Sequence, residues 1–284
     1  MLKLLERNVS NVDQHLTVLA SPRADRLFPF SNLSVDSFQY GSMLSDVQRL
    51  RGKVYLNDGA IGTEDLTGDG RHDTPEDHKS WHVVMRDEQR NVSGCIWYME
   101  HANPTFDALR LRHSPLMQSN VWSAKLRAAV EQDIARAKRE KVGFAEVGGW
   151  AVSGDSHMTD CLLLILGTYA LSQVLGGAYV MATATVRHSS AAILRRLGGS
   201  PLSYNGEELP PYHDRHYGCA MELLRFDTRR PASKFVRLVD CLKTEVATLP
   251  VLAVEPYSAQ NSAEAPLSAA HVFAGRHFHQ RSVA

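Results

Sequence analysis

The stretch from Phe144 to Val186 constrains the fold most. It reads as a strand, FAEVGGWAV (144–152), then an apolar helix over Thr159–Leu175 ended by Gly176–Gly177, then a second buried strand, AYVMATATV (178–186). A chain with this unit is neither all-helical nor all-strand. Gly148 and Gly149 sit in the middle of the first strand. A glycine pair there marks a bulge or the close approach of another group.

The flanking sequence supplies more elements. Met43, Val47, Leu50 and Val54 fall on one face, which predicts a helix over Met43–Leu56. Trp81–Arg86 and Val92–Glu100 read as a hairpin around Asp87–Asn91. Trp122–Glu140 is amphipathic, with Leu126, Ala129, Val130, Ile134 and Ala137 on its apolar side. A short helix over Ser189–Leu197, a hairpin-type turn at Asn205–Gly206, a strand over Cys219–Phe226 and a helix over Phe235–Val246 complete the order. Residues 1–40 lack a period and are expected to form an arm, residues 41–250 one domain, and residues 251–284 a mobile tail. The whole reads as one mixed α/β (α+β) domain and not a doubly wound sheet.

Composition removes several classes. Lysine plus arginine and aspartate plus glutamate both total 31, so no overall charge draws the chain to nucleic acid or an acidic membrane. A hydrophobic share of 44% excludes disorder of the whole chain. The most apolar run, Cys161–Met181, is interrupted by Gln173 and by glycines, so no membrane span is expected. The first residues, MLKLLERNVSNVDQHL, lack the uninterrupted apolar run of a secretion signal. Cys95, Cys161, Cys219 and Cys241 form no CxxC pair, which fits reduced thiols in a cytoplasmic protein. The histidines show no HExxH or comparable spacing, so no metal is expected, and there is no GxSxG elbow for serine hydrolysis.

Over about residues 43–230 this order resembles the GNAT acyltransferase superfamily, most strongly from Phe144 to Gly199. The segment LRGKVYLNDGAI, with Leu50, Arg51, Val54 and Tyr55, and the acidic loop after it are similar to the acyl-homoserine-lactone synthases and N-acyl amino acid synthases of that superfamily. The resemblance implies a mixed, mostly antiparallel sheet flanked by helices, with two parallel strands that splay to admit the donor's pantetheine arm. It implies a donor that is acyl-CoA or the phosphopantetheine of acyl carrier protein, the acyl chain commonly long, and a small amine as acceptor. Two characteristic arginines of these relatives are replaced here by Trp97 and Gly149, and the phosphate loop is reduced to SGDSHMT.

Glu146, an acid in an apolar strand, is the candidate base, since burial raises a carboxyl pKa; a structural carboxylate bonded to backbone is the alternative. Trp150, Ala151, Val152, Ser153, Gly154, Ser156, His157, Met158 and Thr159 are candidate donor contacts, combining bulge amides with a helix N-terminus. Arg51, Tyr55, Asp73, Asp77 and Trp97 are candidate acceptor-side or pocket residues. Trp97 and Trp150 are the aromatics expected to line an acyl pocket. The rival functions are a non-catalytic binding protein of the same fold and a short-chain acetyltransferase.

Overall fold

The computed structural model describes residues 15–24, 29–154 and 158–255. Strands β1 (Leu16–Leu19) and β2 (Leu33–Val35) precede helix α1 (Ser37–Asn57) and the hairpin β3 (Trp81–Arg86) and β4 (Val92–Glu100). Short 3-10 turns lead to α2 (Ser123–Glu140), β5 (Gly143–Val152), α3 (Met158–Val174), β6 (Ala178–Thr185) and α4 (Ser190–Arg196). The short strands β7 (Ser200–Pro201), β8 (Ser203–Tyr204), β9 (Glu207–Glu208) and β10 (Tyr212–Asp214) come next, then β11 (Cys219–Asp227), α5 (Val236–Val246) and β12 (Val251–Ala253).

One ten-stranded sheet runs β10-β11-β6-β5-β4-β3-β1-β12-β2, with β7 also on β11. Only β5–β6, β1–β12 and β12–β2 are parallel pairs. The mixed sheet expected from the sequence is therefore present. The arm expected over 1–40 instead gives the sheet a fully buried strand, β1, between β3 and β12. The tail expected from 251 begins with β12 inside the sheet, and residues 256–284 lie outside the described residues.

Side-chain alternation divides the core into two faces. On one, α3, buried from Leu162 to Ser172, packs with α5 against Val83, Ile96, Tyr98, Ala145 and Val180. On the other, α2 covers Phe144, Tyr179, Met181 and Leu223, and α1 covers Val84, Cys95 and Ala151. Each fully buried Leu or Val here contributes about 1.5–3 kcal/mol of transfer free energy. Asn205 and Gly206, at φ +49° and +81°, close the β8–β9 hairpin, a turn whose twist needs both residues left-handed. Among the described residues, no helix is long and apolar enough to cross a membrane.

The sheet opens at one place. β5 and β6 pair from Gly143↔Ala178 to Val147↔Ala182 and no further. Beyond that point β5 stays on β4, through Gly148↔Trp97, Ala151↔Cys95 and Val152↔Gly94. β6 stays on β11, through Thr183↔Leu223 and Thr185↔Met221. The two strands therefore part into a wedge with its vertex at Val147 and Ala182.

Candidate active site

A bulge on β5 helps to open the wedge. The β4–β5 register shifts between Cys95 and Trp97, and Gly149 adopts φ +63°. The Trp97 indole lies across both glycines. A Cβ on Gly148 would meet Trp97 Cζ2 at 2.4 Å, and one on Gly149 would meet Trp97 Cδ1 at 2.3 Å. A large ring on β4 thus occupies the space that side chains at these two positions of β5 would need.

Glu146 lies on the α1/α2 face, two residues before Gly148, and is only 4% exposed. Its carboxylate accepts from the Arg110 backbone N–H at 3.0 and 3.2 Å and from His101 Nε2 at 3.0 Å. Arg110 also sets its guanidinium 5.3 Å from the Trp97 ring centre and 3.5 Å from Glu76. Trp97 is consequently buried under Arg110.

Arg51 and Asp77 form a buried bidentate pair, Nη1 to Oδ1 at 2.8 Å and Nη2 to Oδ2 at 2.5 Å. Arg51 Nε donates to His72 Nδ1 at 3.2 Å, and Asp77 also accepts from Gln48 Nε2 and the Thr74 N–H. Burial alone would raise the Asp77 carboxyl pKa, but the facing guanidinium holds it below the usual range. This network ties the loop after α1 to the helix and sets Arg51 beside Gly149, where a Cβ would meet Nη1 at 3.1 Å. Tyr55 donates to the Trp150 carbonyl at 3.3 Å, joining α1 to the bulge. Asp73 is exposed and bonded to Gln48 and His78, apart from the buried pair.

The expected donor contacts occupy the unpaired half of β5 and the residues after it. Ala151 is buried towards α1, while Trp150 and Val152 pack towards the α3 face. Trp150 Nε1 is buried with no hydrogen-bond partner. The Ser153 N–H donates to Ser93 O on the β4 side, so alternation turns the Val152 backbone towards the wedge. Gly154 and Met158 are exposed and Thr159 is buried; Ser156 and His157 lie outside the described residues. On the α3 face an apolar cavity of about 30 Å³ touches the vertex through Val147 and Ala182, with Ile96, Ile165 and Leu194 among its walls. Neither Trp97 nor Trp150, the aromatics expected at an acyl pocket, lines this cavity; the bulge puts the two rings on opposite faces. Among the described residues, no cluster of three or more His, Cys, Asp or Glu is placed to hold a metal ion.

Sequence reasoning missed His101, Arg110 and His72. Arg110 serves Glu146 through its backbone N–H, which leaves no side-chain signal, and His101 gains meaning only from the β4–β5 register.

Burial holds the imidazoles of His72 and His82 below the usual histidine range; at His72 the Arg51 charge acts the same way. The unfolded chain then binds more protons than the folded chain just below about pH 6.5. Stability is expected to fall as the pH drops through that value and to level off below the folded pKa values. Urea midpoints measured above and below about pH 6.5 check this; an unchanged midpoint would contradict it.

No protein-family model matches the chain, and no curated protein matches it. Its structural neighbours are acyl-homoserine lactone synthases and an N-acyl amino acid synthase. It is similar to a CoA-dependent acyl-homoserine lactone synthase, BjaI, seen with MTA (TM-score 0.49, 17% identity, 86% of this chain and 95% of that chain). It is similar to the AHL synthase LasI (TM-score 0.43, 15% identity, 66% of this chain and 84% of that chain). It is also similar to FeeM, an N-acyl amino acid synthase from uncultured soil microbes (TM-score 0.44, 11% identity, 69% of this chain and 88% of that chain). At such identities a likeness concerns the fold alone.

Proposed function

We propose that this chain is an N-acyltransferase that moves an acyl group from acyl-CoA or acyl carrier protein to the amine of a small molecule such as an amino acid. The observation that carries this is the wedge between β5 and β6. Past Val147 and Ala182 the two strands present backbone edges that no longer pair with each other. An extended thioester arm between them would meet those edges as an added strand does.

The two faces then divide the work. The amine sits on the α1/α2 face, where Glu146 takes its proton, directly or through one water. His101 and the Arg110 N–H hold the carboxylate in place. Amides of the bulge face the thioester oxygen as negative charge develops on it. The nitrogen–carbon bond forms, the carbon–sulfur bond breaks, and the ammonium proton passes through Glu146 to the departing thiolate. The acyl tail points through the vertex into the cavity on the α3 face. Both donors are cytoplasmic compounds, and the chain would act there.

Incubation of the purified protein with acyl donors and an amino acid pool, read by mass spectrometry, tests the proposal. An acylated amine supports it. Retained acyl donor without product would favour the non-catalytic binder instead. Glu146→Gln is expected to lower kcat by about 10²–10⁴-fold with donor binding kept. Full activity in that variant would remove Glu146 as the base.

A further inference from the structure

At the end of the sheet away from the wedge, a second cavity of about 210 Å³ lies on the α2 face. Its floor is the amino end of β6, where Tyr179 pairs with Phe144 on β5 and with Asp227 on β11. The wedge opens at the carboxyl end of the same strand. Three guanidiniums reach the cavity from three elements: Arg136 from α2, Arg225 from β11 and Arg230 from the loop after β11. Gly198, Ser200 and the buried Asp133 also line it. One water molecule needs about 10–15 Å³ of such space, so the cavity admits a small metabolite.

The three guanidiniums are held in place with donors to spare. Arg225 Nη1 donates to Asp133 at 3.3 and 3.4 Å, and its Nε donates to Ser200 Oγ at 3.4 Å. Arg136 Nε donates to Glu140 at 3.2 Å, and its guanidinium stands 5.4 Å from the Tyr179 ring centre. Arg230 Nε lies 3.7 Å from Asp227. Among the described residues, Arg225 Nη2, both Nη atoms of Arg136 and the Arg230 guanidinium have no hydrogen-bond partner. Water reaches these side chains, which are 32%, 45% and 77% exposed for Arg225, Arg136 and Arg230. Arg229, paired with Glu140 and Asp227, adds a fourth guanidinium to the network. Among the described residues, the carboxylates paired with these four cations are Asp133, Glu140 and Asp227, which leaves one positive charge over.

Guanidinium edges bind oxyanions through paired, charge-assisted hydrogen bonds. Donors arriving from three elements meet an anion from more than one side. That suits the tetrahedral oxygens of a phosphate better than the coplanar pair of a carboxylate. Ser200 Oγ adds a hydroxyl donor, since the bond it accepts from Arg225 leaves its own proton free. We infer that this cavity is a second ligand site, apart from the donor slot, which binds the phosphate group of a small metabolite through Arg136, Arg225 and Arg230. The inference does not rest on the acyl-transfer reading and stands if that reading fails.

Calorimetric titration of the full chain with inorganic phosphate and with succinate, at one ionic strength, tests it on the wild type, on Arg230→Gln and on Arg136→Gln combined with Arg230→Gln. Arg225 stays in place because the buried Asp133 depends on it. The wild type is expected to bind phosphate at least about tenfold tighter than it binds succinate. The double variant is expected to lose at least about tenfold in phosphate affinity. Arg230→Gln alone is expected to lose at least about threefold, and its exposed side chain makes it the variant that decides if the double one folds poorly. No phosphate binding by the wild type would overturn the inference, and so would one affinity shared by the wild type and the folded variants. Succinate bound as tightly as phosphate would overturn phosphate as the recognised group.

Discussion

Asp77→Ala is expected to destabilise the fold by about 3–5 kcal/mol, because it leaves the Arg51 charge buried and unpaired. Arg51 is 1% exposed and Asp77 0%, so water cannot take the place of the lost carboxylate. The same substitution removes one of the two acceptors of the Gln48 amide and the acceptor of the Thr74 N–H, which anchor the loop after α1. Urea unfolding measures the loss. Replacing both partners, Arg51→Met with Asp77→Leu, is expected to cost far less than Asp77→Ala alone, because no charge is stranded. A double variant as unstable as the single one would contradict this account of the pair. The sign with pH comes from the depressed carboxyl. The contribution of Asp77 is present above about pH 4 and is lost as the pH falls through its lower folded value.

Gly149→Ala is the second large effect. At φ +63° a side chain costs about 1–2 kcal/mol, and the new Cβ would lie 2.3 Å from Trp97 Cδ1 and 2.5 Å from Nε1. The indole has Arg110 over it and cannot yield without disturbing that contact. Together the strain and the overpacking are expected to cost about 2–5 kcal/mol. Trp97→Ala in the same chain would remove the clash and leave the strain. The double variant is therefore expected to be more stable than the sum of the two singles by about 1–3 kcal/mol. Strict additivity in a denaturation cycle would mean that Trp97 and Gly149 are not packed as described.

Much of the fold was legible because its longer elements are apolar or amphipathic runs bounded by glycines and polar turns. The β3–β4 hairpin, α2, β5, α3 and β6 begin and end within one or two residues of the bounds read from the sequence. β1 and β12 were not legible: LTVL and VLA are too short to show a period, and pairing with each other makes them strands. At the site, Glu146 stood out as an acid in an apolar strand, and Arg51, Asp73 and Asp77 were singled out as a cation with two carboxylates able to pair with it; which carboxylate takes it, Asp77, is set by the folded loop. The meeting of Trp97 with Gly148 and Gly149 is a contact between neighbouring strands whose register no local pattern encodes.

The proposed acyl transfer requires that the gap between β5 and β6 admit a pantetheine thioester arm. Hydrogen exchange of the full chain, with and without a saturating acyl-CoA or 4′-phosphopantetheine, addresses it directly. Slower exchange confined to residues 148–154 and 183–187, the two walls of the gap, is the expected result. A ligand that binds and leaves both walls unchanged while protecting another part of the surface would contradict it.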